Sequence, residues 1–264
     1  MTLVFILDLD GTIIGDCIYQ CELYKIYLIL SKLGIKIKIN DILESSYTEK
    51  SKLIRPYFSH FLQTISKNYP DSRFYIYTAS EKKWGIKEIE IIEKNLGFKF
   101  DRPIFTRMEC STVQTPKKVE YRKSIDDIRR RIKIKEADFV IIDDKEVYLD
   151  NSDRLIKCSR YNYTYFSNYW DYIPLDKIKN KVFLNYLTTL INSKRLNPIS
   201  SPLTMKNQTE YYKWLFDKCT EISKINREYK NDDFWLRLTN IIIDNNINIF
   251  NETSIKFIKR MIKN

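Results

Sequence analysis

The sequence predicts an α/β protein: a Rossmann-like parallel sheet with helices on both faces, a small strand-rich insert and a helical C-terminal extension. Three observations lead there. The apolar runs "LVFIL", "RFYIY" and "DFVII" are strand-length and rich in β-branched or aromatic residues, as strands buried on both faces are. Amphipathic helical patterns separate them, and strands alternating with helices build parallel sheets. From Trp170 onward the pattern turns helical, with no further strand-like run.

The first run ends at Asp8, and Asp10 follows on the same side because side chains of an extended segment alternate. An Asp-Gly step also suits a hairpin turn with solvated acids, so this stretch alone leaves both readings open. "ELYKIYLILSKLG" places Leu23, Ile26, Leu30 and Leu33 on one helical face and stops at Gly34. "RPYFSHFLQTI" puts Pro56 in a first turn and buries Phe58, Phe61, Leu62 and Ile65, with His60, the single histidine, as a structural residue of that helix. "RFYIY" leads to Thr78 and Ser80, and "IKEIEIIEKNLG" forms a helix ending at Gly97. The stretch of about 98–123 reads as the strand-rich insert, with Phe98, Phe100, Phe105 and Tyr121 lining a pocket or packing as strand core. "SIDDIRRRI" starts a helix with Ser124 as N-cap and Asp127 in the capping-box position. "DFVII" runs into Asp143 and Asp144. "LNPISSPLTMKNQ" reads as a linker. Segments 208–225, 232–245 and 251–263 each carry an apolar stripe, such as Tyr211, Leu215, Cys219 and Ile222, expected to pack together or against the first domain. The expected domains are 1–175 and 176–264.

Composition narrows the class. The 264 residues are 44% hydrophobic with few Gly and Pro, which excludes a disordered or low-complexity chain. Five scattered cysteines without a secretory signal predict a reducing, intracellular setting in cytoplasm or nucleus and no disulfide framework. Cys17 and Cys21 lack a second pair and His60 is distant in sequence, so zinc is set aside. No run is long enough to span a bilayer, and no membrane partner is expected. The formal net charge of +11 points to an anionic partner such as nucleic acid or a phosphorylated peptide. The wealth of Ile, Lys, Asn and Tyr also fits an AT-rich coding genome, which accounts for part of the lysine excess.

In open α/β sheets ligands bind beyond the carboxyl ends of the strands. All three runs end there in polar groups: Asp8 with Asp10, Thr78 with Ser80, and Asp143 with Asp144. Carboxylates plus a substrate phosphate suit Mg²⁺, which takes oxygen ligands and keeps several waters. Phosphoryl transfer follows, with Asp8 attacking phosphorus and Asp10 protonating the leaving oxygen and then deprotonating water.

"DLDGT", "FYIYTAS" and "VIIDDK", in that order, resemble the motifs of the haloacid dehalogenase superfamily of aspartate-nucleophile phosphatases. More narrowly, "IRPYFSHFLQTI", "FYIYTAS", "PIFTRMEC", "YRKSI" and "FVIIDDKEVYLDN" resemble the RNA polymerase II C-terminal-domain phosphatases and related small phosphatases, the NLI-interacting-factor-like family, which has versions in large DNA viruses. The resemblance covers roughly residues 1–175. It implies Asp8 as nucleophile, Asp10 as acid and base, and Thr78 and Lys123 as phosphate-binding groups. It further implies Mg²⁺ held by Asp8, the Asp10 main-chain carbonyl, Asp143 and Asp144. Lys117, Lys118 and Lys145 occupy alternative places for the lysine. Gly11 stands where the polymerase-tail phosphatases usually carry an acidic or amide residue. The implied activity is a Mg²⁺-dependent protein serine/threonine phosphatase acting on a phosphopeptide such as the polymerase tail. A nucleotide or polynucleotide phosphatase is the alternative, and a weakly catalytic scaffold or virion-associated protein a third reading.

Overall fold

β1 (Thr2–Leu7) is apolar from Leu3 onward, where every residue is buried. It pairs in parallel with β2 (Arg73–Ile76) on one edge and β5 (Ala137–Asp143) on the other, placing Ile6 between Tyr75 and Ile141. A short β6 (Leu155–Lys157) pairs with β5 and completes a four-stranded parallel sheet of order β2-β1-β5-β6. The computed structural model describes residues 2–32, 34–116, 119–134, 136–166 and 208–263. The expected boundary at 175/176 and all of the expected linker except Gln208 lie outside them, as do Leu33, Lys117 and Lys118.

Alternation along β1 divides the core into two layers. Phe5 and Leu7 join α1 (Ile18–Lys32), α2 (Ile39–Ser46), α3 (Phe58–Asn68) and α4 (Lys82–Leu96) through Leu23, Ile42, Phe61 and Ile92. Val4 and Ile6 face Ile125 and Ile128 of α5 (Ile125–Ile132), with Tyr75, Tyr77 and Phe105 filling the remainder. Helices therefore cover both faces, but unequally. α1 and α4 stop ahead of Gly34 and Gly97, as the sequence predicts.

Several local expectations change. Pro56 is not in the first turn of α3, which starts two residues later after Tyr57 in a left-handed conformation (φ 64°). The Arg-Pro segment instead makes the turn that leads into α3, the Phe58 N–H donating to the Arg55 carbonyl at 3.3 Å, and is fixed where the Arg55 N–H donates to the Ile13 carbonyl at 2.8 Å. Ser124 does cap α5, accepting from the Asp127 N–H at 3.2 Å. The Ile125 N–H goes to Asp150, however, and the Ser124 N–H to the Tyr77 hydroxyl. The insert contains an antiparallel hairpin, β3 (Ser111–Gln114) with β4 (Val119–Arg122). Phe98, Phe100 and Phe105 do not line a pocket there; they pack in the core beside Phe74, Phe58 and Tyr75. Only Tyr121 stays on the insert, with the Arg107 guanidinium 4.9 Å from its ring centre.

Among the described residues three further helices follow: α6 (Gln208–Arg227), α7 (Phe234–Asp244) and α8 (Glu252–Lys263). Of the α6 stripe, Ile222 is buried and Cys219 exposed. α7 packs on α3, where Trp235 sits fully buried 4.9 Å from the Phe58 ring centre and 4.7 Å from that of Phe61. Arg55 and Asp232, in the turn before α7, form a bidentate ion pair with both bonds at 2.8 Å. The Arg55 guanidinium also lies 4.6 Å from the Phe234 ring centre. The α7 end of the extension and the sheet thus share one core, and truncating an aromatic as buried as Trp235 to Ala costs about 3–5 kcal/mol.

Candidate active site

The ends of β1, β2 and β5 meet at one edge of the sheet, and the polar residues that follow them converge. Asp8 leaves β1 with its N–H still bonded to the Ile142 carbonyl, and the chain then coils tightly, the Ile13 and Ile14 N–H groups both donating to the Leu9 carbonyl. Gly11 has φ +89°, and a Cβ there would stand 3.0 Å from both Arg160 Cγ and Asp144 Oδ2. The left-handed backbone favours glycine, and a side chain there would also have to push the Arg160 or Asp144 side chain aside by a few tenths of an ångström, which accounts for its place in "DLDGT".

Lys123 is almost fully buried and bridges two acids, its Nζ 2.6 Å from Asp8 Oδ1 and 2.7 Å from Asp143 Oδ2. Backbone bonds in both directions, to the Val147 carbonyl and from the Leu149 N–H, pin it in place. Burial works against its charge, but Asp8, Tyr148 and Asp143 outweigh it and hold the Lys123 pKa well above the ordinary value. Of the alternative lysines, Lys145 is exposed. Asp8 is raised to about 7, first by burial and then by the Asp143 charge, which Lys123 only partly offsets. The Thr12 hydroxyl donates to Asp8 Oδ2 at 3.3 Å and accepts the Asp144 N–H at 3.0 Å, joining two of the acids. Trp235 reaches the same residue, its indole N–H donating to the Thr12 carbonyl at 3.3 Å. Asp143 also receives the Tyr148 hydroxyl, and Asp144 Oδ2 receives Arg160 Nη1 at 2.7 Å.

One oxygen each from Asp8, Asp143 and Asp144 lies within 4.8 Å of the others, and Asp144 Oδ1 is buried with no hydrogen-bond partner. Three converging carboxylates with an unused lone pair fit a hard divalent cation such as Mg²⁺. The Asp10 carboxylate is not in that group. It turns toward the β2 side, where Oδ2 accepts Thr78 Oγ1 at 3.2 Å and Ser80 Oγ at 2.7 Å, and Oδ1 accepts the Cys17 thiol at 3.6 Å. Beside it lies Glu88 of α4, fully buried, receiving the Tyr47 hydroxyl. Burial and then the Asp10 charge push the Glu88 carboxyl well above its usual range, while burial, then Glu88 and Asp10, do the same to the Cys17 thiol.

Asp8, Asp10, Thr78, Ser80, Lys123, Asp143 and Asp144 are therefore together at this edge, while His60 is exposed on α3 and has no part in it. Thr12, Tyr148, Arg160 and Glu88 escaped sequence reasoning. Thr12 had a signal, its place in the D-G-T turn. Arg160 and Glu88 had none, since one follows β6 and the other sits in a helix rich in charged residues.

Residues 3–173 match the model of a family described as NLI interacting factor-like phosphatase. A search of curated proteins found no match. Among solved structures, the chain is similar to Fcp1, described as an essential RNA polymerase II CTD phosphatase, with 22% identity over 78% of this chain and a TM-score of 0.39. It spans 55% of that protein's chain. It is also similar to a variant of fission yeast RNA polymerase II CTD phosphatase Fcp1 bound to beryllium fluoride, with 18% identity over 93% of this chain and 67% of that one, at a TM-score of 0.40.

Proposed function

This chain belongs to the NLI interacting factor-like phosphatase family, and from that premise we propose that it hydrolyses phosphoserine or phosphothreonine in an extended peptide, such as a polymerase tail, through an aspartyl-phosphate. The observation that carries the reading is the buried Lys123 bridging Asp8 and Asp143 beside the unpartnered Asp144 oxygen. Asp8, Asp143 and Asp144, with the Asp10 main-chain carbonyl, would hold Mg²⁺. When bound, the ion supplies positive charge that lessens repulsion between the nucleophile and the phosphate.

An Asp8 carboxylate oxygen attacks phosphorus, and the bond from phosphorus to the ester oxygen breaks. The departing oxygen takes a proton from Asp10, whose carboxyl is held toward the β2 edge by Thr78 and Ser80. Water then attacks phosphorus as Asp10 takes back a proton, the bond to Asp8 breaks, and inorganic phosphate leaves. Thr78 and Lys123 bind the phosphoryl oxygens that gain charge in both steps.

The +11 net charge favours a second reading, a phosphatase for nucleotide or polynucleotide ends. Among the described residues no helix is long and apolar enough to cross a membrane. The deciding experiment measures kcat/KM for a Ser-Pro phosphopeptide and a phosphorylated oligonucleotide at two salt concentrations, with Mg²⁺ and with chelator. A peptide phosphatase responds to moving the proline and goes silent in chelator. A faster oligonucleotide reaction that falls steeply with salt, as counterion release requires, overturns the peptide reading.

A further inference from the structure

Asp10, Cys17 and Glu88 come from the loop after β1, the residue before α1, and α4, yet offer one ligand atom each within 4.8 Å of one another. Glu88 is the informative member. Tyr47 donates to its Oε1, while Oε2 is buried and accepts no hydrogen bond. A carboxylate oxygen left bare in a dry interior is costly unless something takes its lone pair. Cys17 Sγ is 3.6 Å from Asp10 Oδ1, so sulfur and oxygen donors face one another across this gap.

A thiol with two carboxylates is the donor set of a thiophilic or borderline cation, whereas Mg²⁺ prefers oxygen alone. The Tyr47 bond to Glu88 is the kind of outer contact that fixes a ligating carboxylate. An entry path exists, because Cys17 also lines an open cleft with Ser80, Glu81, Trp84 and Arg107.

We propose that Asp10, Cys17 and Glu88 form a site for a thiophilic divalent cation, with Zn²⁺ the best match, separate from the Asp8, Asp143 and Asp144 group, and that filling it inhibits turnover by taking the Asp10 carboxylate out of proton transfer. The binding half stands on the geometry alone; the inhibition rests on the role given to Asp10 under Proposed function. Sequence spacing set zinc aside because no second cysteine pair exists. The partners that spacing could not supply are carboxylates brought in by the fold.

The test titrates the full chain with Co²⁺ in saturating Mg²⁺. A thiolate-to-cobalt charge-transfer absorption should appear, be displaced by Zn²⁺ and vanish in Cys17→Ser. In Tyr47→Phe the Co²⁺ affinity should fall by roughly ten- to a hundredfold, the usual cost of losing an outer contact. With an aryl phosphate substrate, Zn²⁺ should inhibit the unmodified chain without relief by further Mg²⁺, while Cys17→Ser, compared with its own rate before Zn²⁺ is added, should resist Zn²⁺. A missing absorption band, or one that survives in Cys17→Ser, overturns the site. Inhibition that Mg²⁺ relieves, or a band without inhibition, overturns the inhibitory role. A chain that shows the band but hydrolyses no phosphate supports the site and defeats the phosphatase reading instead.

Discussion

The catalytic loop carries an acidic cluster on either side, and the two hold their charge in opposite ways. Asp8, Asp143 and Asp144 are met by cations, Lys123 between the first two and Arg160 on the third. Asp10 and Glu88 are met by donors that carry no full charge, the hydroxyls of Thr78, Ser80 and Tyr47 and the Cys17 thiol. Positive charge suits one cluster to receive a phosphate dianion. Neutral donors orient the Asp10 carboxylate of the other without placing a cation against it. A two-residue separation along β1 and its loop is enough to place two aspartates in two different surroundings.

The largest effect should come from the first cluster. Asp8→Asn is nearly isosteric and cannot form the acyl phosphate, so turnover should fall by about 10⁴-fold or more with the fold intact by circular dichroism. Retained turnover in purified protein would place the nucleophile elsewhere. In the second cluster, Asp10→Asn should lose about 10²–10⁴-fold, the usual span for acid and base help. The loss should be smaller for aryl phosphates, whose leaving groups need no proton. Equal losses for aryl and alkyl esters would merge the two clusters into one electrostatic unit.

Lys123→Met removes the cation from between Asp8 and Asp143 and should destabilise the fold by about 3–5 kcal/mol, as breaking a buried pair does. The sign with pH follows from Asp8, raised to about 7 in the folded chain. A raised acid favours the folded state fully below its unfolded pKa, and that stability is lost as pH rises through the folded value. Without Lys123 the folded pKa rises further, so urea unfolding should show a larger loss at pH 8 than at pH 5.

The smallest effect belongs to Glu88→Gln. Its folded pKa also lies above the unfolded 4.5, so the unmodified chain loses stability as pH climbs from there, and the amide should remove that part of the slope. Melting temperature against pH for both chains measures it. An unchanged slope would mean that Glu88 is charged in the fold and that the second cluster does not hold protons.

Much of the first cluster was legible because its signals are local. A strand-length apolar run that ends in an acid or threonine places that residue at the sheet edge, and this located Asp8, Thr78 and Asp143 without knowledge of their neighbours. Lys123 was nominated by its place before a helix start. The second cluster was not legible as a unit. Glu88 and Glu93 sit in a helix whose pattern reads as apolar face and solvated face, yet both are buried. Glu93 is reconciled to burial by Arg102, Lys99 and the Phe100 N–H, contacts set by the turn after Gly97. Glu88 depends on Tyr47 and on proximity to Asp10, which only the packing of α1, α2 and α4 creates. Trp235 was equally hidden: its stripe predicted packing with the other C-terminal helices or against the first domain, but nothing local pairs an indole with the Thr12 carbonyl.

The central claim, that Asp8 attacks phosphorus to form an acyl phosphate while Asp10 only moves protons, is tested most directly by trapping. The chain is mixed with substrate and Mg²⁺, quenched with borohydride during turnover, and digested for mass spectrometry. Reduction of an acyl phosphate should convert Asp8 alone to homoserine, in the presence of substrate and not in its absence. Homoserine at Asp10 or Asp143, or an unreduced Asp8 while phosphate accumulates, would contradict the account.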